Sequence, residues 1–112
     1  MSEVGKLHVI VESIGFDSRM PVELGLELLS DEETDRAERF RFEIHRDRYI
    51  RGRAMLRQLL GRATSRDPGS LVIETEAMGK PYLRGEPIAF NVSHTEDVAL
   101  FAYSTSLESV GV

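Results

Sequence analysis

The 112-residue sequence contains no cysteine. That excludes a disulfide, a thiolate metal site and a cysteine nucleophile, argues against zinc, and fits a reducing compartment, so a cytoplasmic location is expected. Long apolar runs are missing as well. Nothing approaches the roughly 20 residues that cross a bilayer, and the short run from Lys6 to Val11 lacks both the length and the following A-x-A of a secretory signal, so no membrane partner is expected. Positive charge is not in excess: 14 Lys+Arg stand against 19 Asp+Glu, a net charge of −5, which argues against a nucleic-acid partner. There is no internal repeat, low-complexity tract or linker. At this length, residues 1–112 are expected to form a single domain with one core.

What charge there is lies unevenly. Between Arg36 and Arg66 there are ten arginines, against which stand only Glu38, Glu43 and Asp47. A cationic segment in an acidic chain suits a compact polyanion, because the planar guanidinium fork matches phosphate oxygens and keeps its charge. The plainer reading, a solvated helix face, competes for each arginine taken singly.

Along the chain, Leu7–Val11 (LHVIV) is a β-branched apolar run that predicts a buried strand. Glu12–Leu29 reads as loop with a helical turn at Val22–Leu28. Ser30-Asp31-Glu32-Glu33 has the form of a capping box and predicts a helix start, continued by Ala37, Phe40 and Ile44. His45–Arg62 is the strongest helix, with Tyr49, Gly52, Leu56, Leu59, Leu60 and Ala63 within one arc. Arg46, Arg53 and Arg57 flank that arc on one side and Arg48, Arg51 and Arg62 on the other. Gly52 in mid-helix predicts a close neighbour. Asp67–Ser70 is a turn, and Leu71–Thr75 alternates as a strand. Ile88–Val92 and Val98–Tyr103 flank a five-residue loop, Ser93–Asp97, and the second of these strands, apolar on both faces, is expected to be central. Ser109–Val112 starts one more apolar strand.

The stretch Gly79–His94 carries the candidate chemistry. A glycine-hinged turn holds Lys80 and Pro81, and an apolar strand delivers Ser93 and His94 at its end. A hydroxyl, an imidazole and a nearby ammonium can together hold a phosphate or pyrophosphate, whereas an ordinary hairpin would use the same residues as turn chemistry.

Taken in order, L-S-D-E-E-x-D-R-A-x-R-F, R-Y-I-x-G-R-A-M-L-R-Q-L-L-G, G-K-P-Y-L, F-N-V-S-H and S-V-G-V resemble the larger, two-lobed class of 4′-phosphopantetheinyl transferases, over Leu29–Val112. The resemblance implies an α+β fold: a short-stranded antiparallel or mixed sheet packed against one long helix, as one lobe of a pseudo-twofold enzyme. It implies coenzyme A as the donor substrate and an acyl or peptidyl carrier protein as the acceptor. Carried over residue by residue, Arg36 and Arg48 match positions that hold the 3′-phosphate, Tyr49 and Gly79-Lys80-Pro81 lie beside the adenine, and Lys80, Ser93 and His94 contact the phosphates. Glu33 departs from relatives with a cation there.

In the family, V-G-V is followed by an Asp-x-Glu pair, and further carboxylate and lysine groups come from a second lobe. Those carboxylates bind the Mg²⁺ of the complete enzyme. The resemblance therefore places the metal ligands and the catalytic residues beyond Val112 and predicts that this chain alone is inactive. The smaller, trimerising class has a similar length, but its metal aspartate after the first strand has no match at Glu12. Two alternatives from other classes are a non-catalytic paralogue or fragment that keeps nucleotide binding, and an interaction domain for an acidic partner. A homodimer through the exposed lobe interface is also expected.

Overall fold

The computed structural model describes residues 7–86 and 88–104. The expected strand at Ser109–Val112 lies outside the described residues. The elements run β1 (Leu7–Ser13), α1 (Val22–Leu28), α2 (Asp31–Glu38), α3 (Glu43–Thr64), a 3₁₀ turn (Pro68–Ser70), β2 (Ile73–Thr75), β3 (Pro81–Leu83), β4 (Ala89–His94) and β5 (Val98–Ser104). The fold is α+β, with an antiparallel sheet in the order β1-β5-β4 and a separate β2–β3 hairpin. β5 is central, as its two apolar faces predict. One face of the sheet presents Phe90, Ala99 and Phe101 to Leu56, Leu59 and Leu60 of α3, and Ile14, Leu71 and Leu83 close the core.

β1 is not the buried strand its composition suggests. Among the described strands it pairs only with β5, so side chains alternate between the core face, where Ile10 packs, and an outward face on which Leu7, Val9 and Val11 are 58%, 53% and 61% exposed. An apolar run reports hydrophobicity, and its place in the sheet decides whether one face or both are covered.

The capping box forms as expected: the Glu33 N–H donates to Ser30 Oγ at 3.2 Å and the Ser30 N–H to Glu33 Oε1 at 2.9 Å. The helix it starts is shorter than expected. The Arg39 and Phe40 amides bond back to the carbonyls of Arg36 and Ala37, tightening the last turn, and the extended Phe42 begins α3. Ile44 therefore belongs to α3, where it is exposed.

The buried stripe of α3 is also rotated from expectation. It consists of Ile50, Ala54, Leu56, Arg57, Leu59, Leu60 and Gly61, while Tyr49, Gly52 and Ala63 are only half-buried. Gly52 has no close neighbour to justify it, since a Cβ there would come no nearer than 3.8 Å to Ile14. Gly61 is the constrained one, for its Cβ would lie 2.7 Å from the Arg66 carbonyl oxygen, which passes close as the chain turns through Ser65 at φ 59°.

Two strand boundaries differ as well. β2 is confined to Ile73–Thr75, with Leu71 buried in the core instead of paired in the hairpin. β4 runs on through Ser93 and His94, which pair with Leu100 and Ala99, so the loop is Thr95–Asp97 and not five residues long.

Candidate functional site

α2 and α3 meet along a seam of charge. Arg57, 1% exposed, donates through Nε to Glu33 Oε1 at 2.7 Å and through Nη1 to the carbonyls of Pro68 at 2.9 Å and Leu71 at 2.8 Å. This corrects its reading as a flanking cation: it is a buried strut between two helices and the following turn. Glu33, with one oxygen occupied by Arg57 and the Ser30 amide, turns its other oxygen to Arg53 Nε at 3.3 Å. Glu33 is thus a buried anchor for two arginines.

One turn along α2, Arg36 lies with its guanidinium carbon 5.7 Å from the centroid of Tyr49, and Arg53 approaches the same ring at 5.7 Å. Phe40 tilts against Tyr49 at 5.4 Å between centroids. The structure therefore brings two predicted site residues, Arg36 and Tyr49, into one aromatic and cationic cluster. Among the described residues Arg36 has no carboxylate partner; in particular it does not pair with Asp31 or Glu32.

Arg48 is directed to the other side of α3. Its Nε and Nη2 donate to Asp97 Oδ1 at 3.2 and 2.9 Å, in the loop three residues beyond His94. That loop is docked where β1 ends: the Asp97 carbonyl accepts from the amides of Ile14 and Gly15, and Arg51 donates to the carbonyls of Gly15 and Met20. Arg51, like Arg57, holds backbone together.

Ser93 and His94 are both exposed at the end of β4, and as consecutive strand residues they face opposite sides of the sheet. His94 shares the face that carries Phe90 and Val92, toward α3. Gly79 adopts φ 89° in the β2–β3 turn, which is closed by the Gly79 amide on the Glu76 carbonyl and the Glu76 amide on the Lys80 carbonyl, both at 2.8 Å. A left-handed residue is needed there, and glycine provides it at no steric cost. Pro81 opens β3 opposite Thr75, and the Lys80 ammonium has no partner among the described residues. Among the described residues no hydrogen bond, ion pair or ring contact joins this turn to the Arg36–Tyr49 cluster or to His94.

Sequence reasoning passes over three participants. It treats Asp97 only as a loop residue, Arg53 only as a flanking charge, and Glu33 only as a cap and a departure. The available signal is the i,i+4 spacing of Arg53 and Arg57, which lets both address a single carboxylate from one helix. A cleft between β1, α1 and α3, lined by Met20, Leu24, Met55 and Leu59, contains none of the expected site residues. Among the described residues no three His, Asp or Glu side chains come together as a metal-holding group.

The profile of the N-terminal part of 4′-phosphopantetheinyl transferases matches residues 18–106. A 4′-phosphopantetheinyl transferase of Nostoc sp., HetI, is 42% identical over 79 residues, which are 66% of this chain and 33% of that protein. A phosphopantetheinyl transferase of Thraustochytrium sp. is 37% identical over 83 residues, 71% of this chain and 28% of that protein. The chain spans about a third of the length of these relatives.

Proposed function

The chain belongs to the 4′-phosphopantetheinyl transferase family, and from that membership we propose that it supplies the coenzyme A-binding part of an enzyme that moves the phosphopantetheine arm to a serine of an acyl or peptidyl carrier protein. The observation that carries the reading is the Arg36–Tyr49 cluster: a guanidinium with no carboxylate partner among the described residues, beside an aromatic ring, on helices otherwise tied together by internal ion pairs. A 3′-phosphorylated adenosine has both features that such a cluster binds, a dianion and a flat base.

In this reading Arg36 takes the 3′-phosphate. Arg48, paired with Asp97 on the other side of α3, would reach the same phosphate only by leaving that carboxylate and swinging round the helix; the 60% exposure of Asp97 keeps the pair weak enough to break. Tyr49 and the Gly79-Lys80-Pro81 turn flank the adenine, and Lys80 and His94 receive the pyrophosphate, which Ser93, on the other face of the sheet, reaches only round the end of β4. The Mg²⁺ used by such transferases needs a set of oxygen ligands that the described residues do not bring together, so no catalytic step is assigned to a residue of this chain.

Isothermal titration with coenzyme A and with dephospho-coenzyme A tests the reading. Coenzyme A should bind about tenfold tighter, the gain expected of one charge-assisted contact, and the difference should shrink with added salt. Equal affinity for the two ligands would remove Arg36 and Arg48 from the 3′-phosphate.

A further inference from the structure

The cleft between β1, α1 and α3 is made where two sequence patterns meet. On α3, Met55, Gln58, Leu59 and Arg62 follow at spacings of three and four and form one stripe; on β1, Ile10 and Glu12, two apart, share the face that looks toward it. Its floor, with Met20, Leu59 and Phe101, is buried and apolar, whereas Glu12, Arg19 and Arg62 are exposed at its mouth. Neither guanidinium has a carboxylate partner among the described residues. The walls are fixed in advance. Arg51 donates to the carbonyls of Gly15 at 3.1 Å and Met20 at 3.0 Å, which ties down both ends of the segment that carries Arg19. Gly25 lets α1 lie close on α3, since a Cβ there would come 2.9 Å from Ile50 Cγ2. A preformed cleft spares a ligand the work of ordering it.

Size and charge together narrow the occupant. The volume, about 340 Å³, lies at the small end of the roughly 300–1,000 Å³ of small-molecule sites, the scale of one flexible chain and not of a helix several turns long. Two methionines, Met20 and Met55, give a lining that adapts to an unbranched chain. Two guanidiniums against one carboxylate leave a single positive charge over, which matches a monoanion, and Glu12 repels a dianion. We infer that this cleft binds the monoanion of an aliphatic carboxylic acid, with its chain among Met20, Leu24, Met55 and Leu59 and its carboxylate held by Arg19 and Arg62. The inference is independent of the coenzyme A reading, because the cleft contains none of the residues assigned to that ligand.

The experiment titrates octanoate, octanol and octylamine into the full chain, each below the concentration at which it self-associates. Octanoate should bind with a Kd below about 1 mM, octanol about tenfold more weakly, and octylamine more weakly still. Arg19→Gln and Arg62→Gln should each lower octanoate affinity by about tenfold and leave that of octanol within about twofold, because they remove charge at the mouth and leave the floor intact. Both side chains are exposed, so the melting temperature should not move. Leu24→Asp places a carboxylate in the apolar wall and should abolish octanoate binding while leaving the coenzyme A titration as in the wild type. If that variant melts early, the two arginine variants decide. Equal affinity for octanoate and octanol, an octanoate affinity that neither arginine variant moves, or displacement of octanoate by coenzyme A overturns the inference. A chain that does not bind octanoate but still prefers coenzyme A to dephospho-coenzyme A also overturns it, and leaves the functional reading standing.

Discussion

Arg57 and Arg48 show how differently two arginines of one helix can be used. Arg57 is buried and meets a carboxylate and two backbone carbonyls, whereas Arg48 reaches a single exposed carboxylate. Replacing Arg57 by methionine leaves Glu33 buried beside Arg53 alone and two carbonyls without a donor, so a loss of about 3–5 kcal/mol is expected in urea unfolding. Arg48→Gln should cost less than about 1 kcal/mol in the same measurement. Similar costs for both would mean that Arg57 is not a strut between the helices. The sequence announces half of this arrangement. Ser30 and Glu33 are three residues apart, and the capping box is legible because it is local. The bond from Arg57 to Glu33 spans 24 residues and depends on how α2 lies across α3, which no periodicity encodes. A stripe count assigns an arginine to the edge of the arc; a carboxylate on the neighbouring helix decides that it goes inside.

At the scale of elements, the type and order of the helices and strands follow from pattern, and their limits follow from contacts that pattern does not contain. The 22 residues of α3 are nearly those expected, because the 3.6-residue repeat is sustained. Its phase is shifted because α1 and α2 press on it as well as the sheet, and Ile50 and Ala54 are buried where Gly25 of α1 comes close. Two glycines of this helix can be told apart on the same ground. At Gly61 a Cβ would collide with a backbone oxygen that cannot move aside without undoing the Ser65 turn, so Gly61→Ala should destabilise, by about 1–3 kcal/mol. At Gly52 a Cβ has room, so Gly52→Ala should stabilise by about 0.5–1 kcal/mol through the unfolded chain. Thermal melting of the two variants reads the opposite signs directly; a stabilised Gly61→Ala or a destabilised Gly52→Ala would contradict this packing. The candidate site divides in the same way. Ser93, His94, Lys80 and the arginine segment are visible as residue types, but the extension of β4 that separates Ser93 from His94 across the sheet, and the docking of the 95–97 loop that brings Asp97 to Arg48, are products of assembly.

For the whole molecule the unsettled surface is the outward face of the sheet. β1 is an edge strand whose outer hydrogen-bonding side is unpaired by the other described strands, and Leu7, Val9 and Val11 make an apolar stripe beside it, joined by Val98 at 41% exposure. An edge and a stripe that coincide are what a second copy can use. Antiparallel pairing of two β1 strands about a twofold axis would continue the sheet across both chains and bring the two stripes side by side. This leaves the α2–α3 seam uninvolved, so dimer formation and coenzyme A binding should be independent. Light scattering across a concentration series should show the mass rising from one chain to two. Val9→Lys puts a charge in the middle of the stripe without touching the core, because Val9 faces away from α3, and it should hold the protein monomeric while leaving both the melting temperature and the coenzyme A titration as in the wild type. A wild type that stays monomeric at every concentration, or a Val9→Lys variant that assembles as readily, would show that this face is not the contact between copies.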